Sequence, residues 1–441
     1  MDNPLAKISR PLRLAFAVSL LSLIAAGPPA PAPAPKPAAP IVGPLPTPES
    51  VGLSTQGLTQ AMAVLNAGVA EGRIAGAVFA VSRHGKLAWL QAVGFRDGTL
   101  RDRMAPDAIF PLASMTKPIA SVAAMILVER GKIMLSDPLS RYIPAFREMQ
   151  VAVQTKDPDT GVVTAAMERA RRPITIQDLL RHTAGMVNGR LAPTSFIGRQ
   201  YIQSGLYNED QTLEASIDKL AKLPLAHQPG SKFDYSQATD VLARVVEIAS
   251  GQSFAEFVAT QITAPLKMVD TAFVAPGAAI NRLTSPRPDP LTGALPGVQD
   301  MLKLPKRIGG NAGLVGTASD YIRFGHMLLG SGTLDGVRIL GAGTIAHMTE
   351  DHLGAIPHDS PSGIYLLGPG RGFGLGFSVR MSAENAMPGS TGDFDWGGAF
   401  GTQFLVDPKQ ELVAVLMINQ QNQFDRYFRL FRTLVYASLV K

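Results

Sequence analysis

The sequence predicts a mixed α/β protein in which the two ends of the chain build one antiparallel sheet and a mostly helical segment is inserted between them. Two strand-like runs with a turn between them occur early in the chain, at residues 77–81 and 87–90. A second pair occurs near the other end, at residues 402–406 and 411–418. Between residues 135 and 304 strand signals are weak and helical periodicity dominates.

Length and composition support two lobes in one folded unit. The chain has 441 residues, of which 46% are hydrophobic and 17% are charged, so it is too long for one simple core. We expect one folded unit over residues 49–441, with an α/β lobe at 49–134 and 305–441 and a helical lobe at 135–304. The net charge of +6 comes from scattered residues, so no nucleic acid partner is predicted. The absence of cysteine excludes disulfides, thiolate metal sites and cysteine nucleophiles.

The first residues have the pattern of an export signal. Lys7, Arg10 and Arg13 precede an apolar run at residues 14–26, which is shorter than the roughly 20 residues needed to cross a bilayer. We expect a signal peptide at 1–26, a proline- and alanine-rich linker at 27–48, and a periplasmic or secreted protein with no stable membrane insertion after cleavage. An uncleaved N-terminal anchor is the alternative.

The remaining elements follow from periodicity and end signals. Thr175 and Asp178 form a capping-box pattern at the start of one helix, and Gly131 is a stop signal for another. A further strand is predicted at residues 374–379. Helices are predicted at residues 55–71, from Ser114 to about 131, at 176–181, 213–223, 238–248, 318–329 and 342–349, and at 424–439.

Ser114 and Lys117 are the first candidate catalytic residues. They lie three positions apart in Ser-Met-Thr-Lys, where an apolar run meets the start of a helix. This spacing places an amine beside a hydroxyl, and burial together with the positive helix end would lower the pKa of the lysine. The alternative is a helix-capping serine with an exposed lysine. The same spacing occurs at Ser216 and Lys219, within an amphipathic helix, where we expect the serine to be a surface residue.

Two later segments carry further candidates. In the first, Pro-Gly-x-x-x-x-Tyr-Ser, a turn delivers Tyr235, whose phenol can transfer a proton when a cation lies nearby. In the second, paired glycines follow Trp396 and lead into a strand, so a substrate can approach the backbone closely, and the amide of Ala399 is a candidate oxyanion donor. A core tyrosine and a tight bend at a sheet edge are the structural alternatives.

No cofactor or metal is predicted. The sequence lacks His-Glu-x-x-His, and His347 and His352 are five residues apart, a poor spacing for one helical face. It also lacks the glycine-rich nucleotide-binding motifs, and the absence of Gly-x-Ser-x-Gly disfavours an α/β-hydrolase.

Taken together and in this order, the three motifs resemble those of the serine β-lactamase-related hydrolases, and among these most closely the family VIII carboxylesterases. The segments Leu-Arg-His-Thr-Ala-Gly-Met at 180–186 and Gly-Leu-Val-Gly-Thr at 313–317 extend the resemblance over roughly residues 48–440. It implies a β-lactamase-like fold, a small-molecule ester substrate and an acyl-enzyme formed by a Ser-Lys-Tyr triad. The implied site residues are the triad Ser114, Lys117 and Tyr235, the oxyanion amides of Ser114 and Ala399 beside Gly397 and Gly398, and Trp396 in the acyl pocket.

Two departures bear on the substrate. The third motif is Trp-Gly-Gly where β-lactamases and penicillin-binding proteins carry Lys-Thr-Gly, and Gln237 stands where they carry asparagine. Both differences favour uncharged esters. Asp240 is expected either to orient Lys117 or Tyr235, or to be a plain surface or capping residue, and His182 is expected to be structural. A β-lactamase, a D-amino-acid peptidase, an acyltransferase and a non-catalytic binding protein remain alternatives, and the sequence leaves the oligomeric state open.

Overall fold

A seven-stranded antiparallel sheet forms the centre of the computed structural model, which describes residues 44–288, 293, 300–358, 367–384 and 386–440. All described residues belong to one compact unit. The strands are β1 (Gly76–Arg83), β2 (Lys86–Gly94), β3 (Phe110–Pro111), β4 (Gln150–Lys156), β5 (Val163–Arg169), β6 (Val315–Gly316), β7 (Thr333–Leu334), β8 (Val337–Arg338), β9 (Arg371–Phe373), β10 (Ser378–Arg380), β11 (Phe394–Gly397), β12 (Gln403–Asp407) and β13 (Leu412–Ile418).

The strand order in the main sheet is β2-β1-β13-β12-β11-β10-β9. An early strand therefore pairs directly with the last one, with Ala80 opposite Val415 in antiparallel register. The predicted fold class, an antiparallel sheet assembled from both chain ends with flanking helices, is confirmed. The first predicted hairpin (β1–β2) and the last one (β12–β13) are both present.

Helices cover both faces of the sheet. They are α1 (Thr55–Ala70), α2 (Thr116–Glu129), α3 (Ile176–Leu180), α4 (Phe196–Gln203), α5 (Leu213–Leu220), α6 (Ala238–Ser250), α7 (Phe254–Val258), α8 (Ala318–Leu329), α9 (Ala342–Met348) and α10 (Phe424–Ala437). Among the described residues, no helix is both long and apolar enough to cross a bilayer.

The alternation of side chains along β1 and β13 explains the layers. On one face Phe79 and Leu416 pack with α1 and α10, and on the other face Val78 and Val415 join the larger core that includes α2, α6 and α8. Because successive residues of a strand point to opposite faces, strands that are apolar at every position are buried on both sides. Burial on both sides holds the sheet rigidly at the centre of the molecule.

The inserted segment differs from the prediction in one respect. It contains the five helices α3 to α7, but it also contains the antiparallel hairpin β4–β5, with Val153 opposite Ala166. Most side chains of this hairpin are exposed on both faces, so its sequence lacks the apolar alternation of a half-buried strand. The segment is mostly helical as expected, but the sequence did not predict this hairpin.

Other local predictions can be compared directly. The capping box of Thr175 and Asp178 is confirmed, with both reciprocal hydrogen bonds present. The strand expected at residues 374–379 is displaced, because β9 ends before it and β10 begins within it. The expected signal peptide and the linker up to residue 43 lie outside the described residues.

Candidate active site

Ser114 lies at a tightly constrained junction between strand β3 and helix α2. Strand β3 pairs with β6, and the Leu112 N–H donates to the Leu314 carbonyl at 2.9 Å. Ala113 then adopts a φ of 47°, the left-handed region that non-glycine residues rarely occupy. A short 3-10 turn (Ala113–Met115) leads into α2, and the Tyr321 hydroxyl donates to the Met115 carbonyl at 2.8 Å. The nucleophile candidate is therefore held at the helix start by strand pairing and by a strained residue.

Lys117 is buried in the first turn of α2. Its Nζ donates to the Asn311 carbonyl at 2.9 Å and lies 4.5 Å from the centre of the Tyr235 ring. Burial disfavours the ammonium form and lowers the pKa of Lys117 from 10.5 to about 7, although the negative charge of Asp240 acts in the opposite direction. The amine can therefore be neutral near physiological pH.

Tyr235 comes from the turn that precedes α6, where Gly230 has a φ of 81°. Its side chain is 3% exposed and packs among aromatic rings, with ring centres 4.9 Å from His182 and 5.4 Å from Trp396. Burial, with the nearby Lys117 charge, holds the pKa of His182 well below its ordinary value. A neutral imidazole packed against Tyr235 fits the structural role expected for His182.

Trp396 lies on the sheet, and the glycines after it pass close to the residues that precede Ser114. Trp396 lies on β11 and is 5% exposed. A Cβ on Gly398 would overlap the Leu112 carbonyl oxygen and the Thr402 hydroxyl, so this backbone passes directly beside the residues before Ser114. Gly397 packs against the Phe424 ring. Within the described part of the chain, the amide of Ala399 has no hydrogen-bond acceptor, as an oxyanion donor requires.

Buried charges fix strand β11 from its other face. Asp395, which directly precedes Trp396, accepts hydrogen bonds from Arg371 Nη2 at 2.8 Å and from Arg432 Nε at 2.9 Å. Arg432 also donates to Asp393. The four side chains are at most 2% exposed, and such buried pairs tolerate the loss of one partner poorly. The position of the third motif is therefore set by charged side chains of α10 and of the edge strand β9 as well as by the pairing of β11 with β10 and β12.

Asp240 and Gln237 both accept hydrogen bonds from Asn311, a residue that the sequence analysis missed. Both are 3% exposed, so the surface alternative for Asp240 is excluded. Asp240 accepts from the Asn311 N–H at 2.8 Å and pairs with Arg307 at 3.4 Å. Gln237 Oε1 accepts from Asn311 Nδ2 at 2.6 Å. The two glycines before Asn311 could have indicated this residue in the sequence, because paired glycines are typical of a loop that packs closely against other backbone.

The second Ser-x-x-Lys pair has a different environment. Ser216 is 2% exposed in α5, and its hydroxyl donates to the Leu206 carbonyl at 2.8 Å. The expectation of a surface serine was wrong, because this face of α5 packs on the loop before it. Lys219 Nζ donates to Gln211 Oε1 at 2.7 Å.

His347 and His352 lie closer together than their spacing suggested. Their ring centres are 4.6 Å apart, and Glu350 lies beside them, because the chain turns back after α9. Both ring nitrogens of His352 already have partners, since Nε2 lies 2.7 Å from the His347 carbonyl and Nδ1 lies 3.2 Å from Gln177 Nε2. A metal ion bound there would have to displace one of these contacts.

Comparisons with known proteins agree with this architecture. A family model described as Beta-lactamase matches residues 61–437. Protein Rv1367c of Mycobacterium tuberculosis is 34% identical over 358 residues, covering 79% of this chain and 86% of that protein. Esterase EstB of Burkholderia gladioli is 30% identical over 383 residues, covering 81% and 89%. The solved structure of EstCE1, a hydrolase with promiscuous acyltransferase activity, has a TM-score of 0.71 at 28% identity and covers 86% of this chain and 99% of its own.

Proposed function

Since this chain belongs to the Beta-lactamase family of serine hydrolases and related proteins, we propose that it is a serine carboxylesterase that works through an acyl-enzyme. Ser114 is the nucleophile, and Lys117 and Tyr235 carry the acid–base work. The amides of Ser114 and Ala399 form the oxyanion hole. The similarity to EstB and EstCE1 supports ester hydrolysis as the reaction class.

One observation carries this proposal. Lys117 is 4% exposed, and its amine has a pKa of about 7 and lies 4.5 Å from the centre of the Tyr235 ring, one turn after Ser114. A lysine in a merely structural role is normally solvated and charged, whereas a general base needs a pKa near the working pH. The cost of burying this amine therefore favours a catalytic role over a structural one.

The reaction runs in two halves. Ser114 Oγ attacks the ester carbonyl carbon while its proton passes to the Lys117 amine or to a Tyr235 phenolate, and the two amides stabilise the oxyanion. The intermediate collapses, the bond to the alcohol oxygen breaks, and Tyr235 together with Lys117 returns the proton to the departing alcohol. Water then attacks the acyl-Ser114 ester in the same way and releases the carboxylic acid.

The third motif favours uncharged substrates. On β11 the position of a substrate-gripping lysine is taken by Trp396, which is packed against Tyr235 and Phe373. Without that cation, a β-lactam carboxylate loses its strongest partner. We therefore expect ester turnover to exceed β-lactam turnover, with weak β-lactam hydrolysis as a side activity.

Export is part of the proposal. The basic residues and the apolar run at 14–26 support a cleaved signal peptide and a periplasmic or secreted enzyme. The intact mass of the protein recovered from the periplasm or medium tests this, because cleavage near residue 26 removes a defined mass. Recovery of the full-length chain in the membrane fraction would favour the uncleaved anchor.

A panel of p-nitrophenyl esters with nitrocefin tests the catalytic proposal. The wild type and Ser216→Ala should hydrolyse short-chain esters at comparable rates, and Ser114→Ala should lose the activity while remaining folded. A fluorophosphonate should label the wild type once, on the peptide that contains Ser114. Near-wild-type ester turnover by Ser114→Ala would refute the nucleophile, and nitrocefin turnover above ester turnover would favour a β-lactamase. An absence of labelling in the folded protein would favour a binding protein.

A further inference from the structure

We propose that Asn311 is a positioning residue for Lys117, and that its side chain links this amine through Gln237 to Tyr207 in the helical segment. This inference rests on the proposed function, because it concerns how the proposed base is held. Each link in the chain is a contact in the structure, and none of the three residues belongs to the proposed triad.

The first link is the hydrogen bond from Lys117 Nζ to the Asn311 carbonyl, at 2.9 Å. A carbonyl oxygen accepts an N–H and repels a lone pair, so this contact decides which way a neutral amine presents its lone pair. With one N–H held by the loop, the lone pair points away from Asn311. The orientation of the base therefore depends on the placement of a single carbonyl group.

The second link is the loop that carries this carbonyl. A Cβ on Gly310 would overlap the Thr239 carbonyl oxygen, and one on Gly309 would overlap the Asp240 carboxylate, so the loop lies directly on the start of α6. The Asn311 N–H donates to Asp240 Oδ1 at 2.8 Å. Only glycine at both positions permits this approach. The backbone of Asn311 is thereby tied to the same helix that follows Tyr235.

The third link is made by the Asn311 side chain. Its Nδ2 donates to Gln237 Oε1 at 2.6 Å, and Gln237 Nε2 donates to the Tyr207 hydroxyl at 3.2 Å. The same hydroxyl accepts from the Gly189 N–H at 2.7 Å. Gln237 is 3% exposed, and leaving a buried amide without its partner costs free energy. This energy resists rotation of the loop and hence movement of the carbonyl.

The charged and titratable groups around Lys117 determine in which direction a new charge at position 311 would shift the pKa of its amine. They are Asp240 on α6, Tyr235 before it and His182 after α3, with Arg307 paired to Asp240. A carboxylate at position 311 would add a second negative charge to this group. It would favour the ammonium form of Lys117 and raise the pH at which the base becomes active.

The variants Asn311→Ala, Gln237→Ala and their double mutant test the linkage, with Gln211→Ala as the matched control. Gln211 is an amide whose Nε2 donates to the Gly205 and Leu206 carbonyls and whose Oε1 accepts from Lys219 Nζ, so it controls for the loss of a side-chain amide that ties a loop to a lysine. We expect each of the first two variants to lower kcat on p-nitrophenyl butyrate about 10-fold with KM changed less than about 2-fold, since small misplacements of a catalytic group are costly. The kcat of the double mutant should be no lower than that of the worse single mutant, because both substitutions remove the same hydrogen bond between Asn311 and Gln237.

A pH profile separates positioning from a structural role. Asn311→Asp should move the acid limb of kcat/KM to higher pH by about one unit, whereas Gln211→Ala should leave the limb and kcat unchanged. The proposal is wrong if Asn311→Ala keeps wild-type kcat, if the losses of the two single mutants multiply in the double mutant, or if Gln211→Ala loses as much. Thermal melts identify a variant that fails to fold, and Gln237→Ala then tests the same link from its other end.

The rate of fluorophosphonate labelling keeps this test separate from the proposed reaction. It reports activation of Ser114 without any assumption about the natural substrate. If the wild type labels but hydrolyses no ester, the esterase proposal fails while the labelling rates of the five variants still decide the role of Asn311. Equal labelling rates for wild type and Asn311→Ala would overturn the positioning role.

Discussion

The Ser-x-x-Lys pairs that begin at Ser114 and Ser216 have the same spacing and different surroundings. Ser114 precedes helix α2 at a strained turn, whereas Ser216 lies within α5 with its hydroxyl bound to the Leu206 carbonyl. Lys117 is buried and has a pKa of about 7, whereas Lys219 is half-buried and donates to Gln211. The spacing is the same in both places, but only the lysine of the first pair is fully buried. The position of a short motif relative to a helix end and to the core therefore decides whether it predicts a catalytic pair.

The largest expected effect comes from removing each lysine in turn. Lys117→Met should lower kcat/KM about 10³-fold, because it removes the proposed base, whereas Lys219→Met should change it less than about 2-fold. Initial rates on p-nitrophenyl butyrate at pH 8 measure both. Comparable losses in the two variants would remove the distinction between the pairs.

The next largest loss of turnover is expected from a change at Gly398, which follows β11 and passes beside the residue two positions before Ser114. Gly398→Ala would push a methyl group into the Leu112 carbonyl and displace the Ala399 amide, so turnover should fall about 10²-fold. Gly343→Ala is the control, because a Cβ there has open space around it. A fully active, folded Gly398→Ala enzyme would show that the oxyanion hole lies elsewhere.

The pH dependence of kcat/KM sharpens the comparison further. With a Lys117 pKa of about 7, activity should fall roughly tenfold per pH unit below that value as the base is protonated. Asp240→Asn removes the charge that raises this pKa, so its acid limb should move to lower pH. Lys219→Met should leave the limb in place. An Asp240→Asn limb at higher pH than that of the wild type would contradict the sign.

The burial of Lys117 also affects stability, but it changes no rate directly. The pKa of Lys117 in the folded protein lies below its ordinary value of 10.5. Between about pH 7 and 10.5 the unfolded chain therefore binds more protons than the folded chain. The contribution of Lys117 to the free energy of unfolding of the wild type rises with pH across that window. Lys117→Met should therefore be more stable than wild type at pH 7, by roughly a few kcal/mol, and the gap should close towards pH 10. Melting temperatures across this range measure the gap, and a constant difference would show that Lys117 is not neutral in the folded state.

The sequence predicted what depends on local order and missed what depends on contacts between distant segments. The β1–β2 hairpin, the Thr175 capping box and the helix after Ser114 each have a pattern within a few residues. The β4–β5 hairpin has no buried face to leave such a pattern, and Asn311 acts through a backbone carbonyl, which any residue possesses. Burial of Ser216 likewise depends on a loop that folds back onto α5. Residues that work by holding others leave little trace in composition or spacing.

The pairing of β1 with β13 has a consequence for how the molecule matures. The ribosome must add more than three hundred residues after β1 before its central partner exists, and contacts between such distant segments form slowly. The loop that holds Lys117 and the glycines beside Ser114 also emerge late. A growing or shortened chain therefore lacks part of the proposed catalytic site, and we expect it to hydrolyse no ester until β13 has joined the sheet.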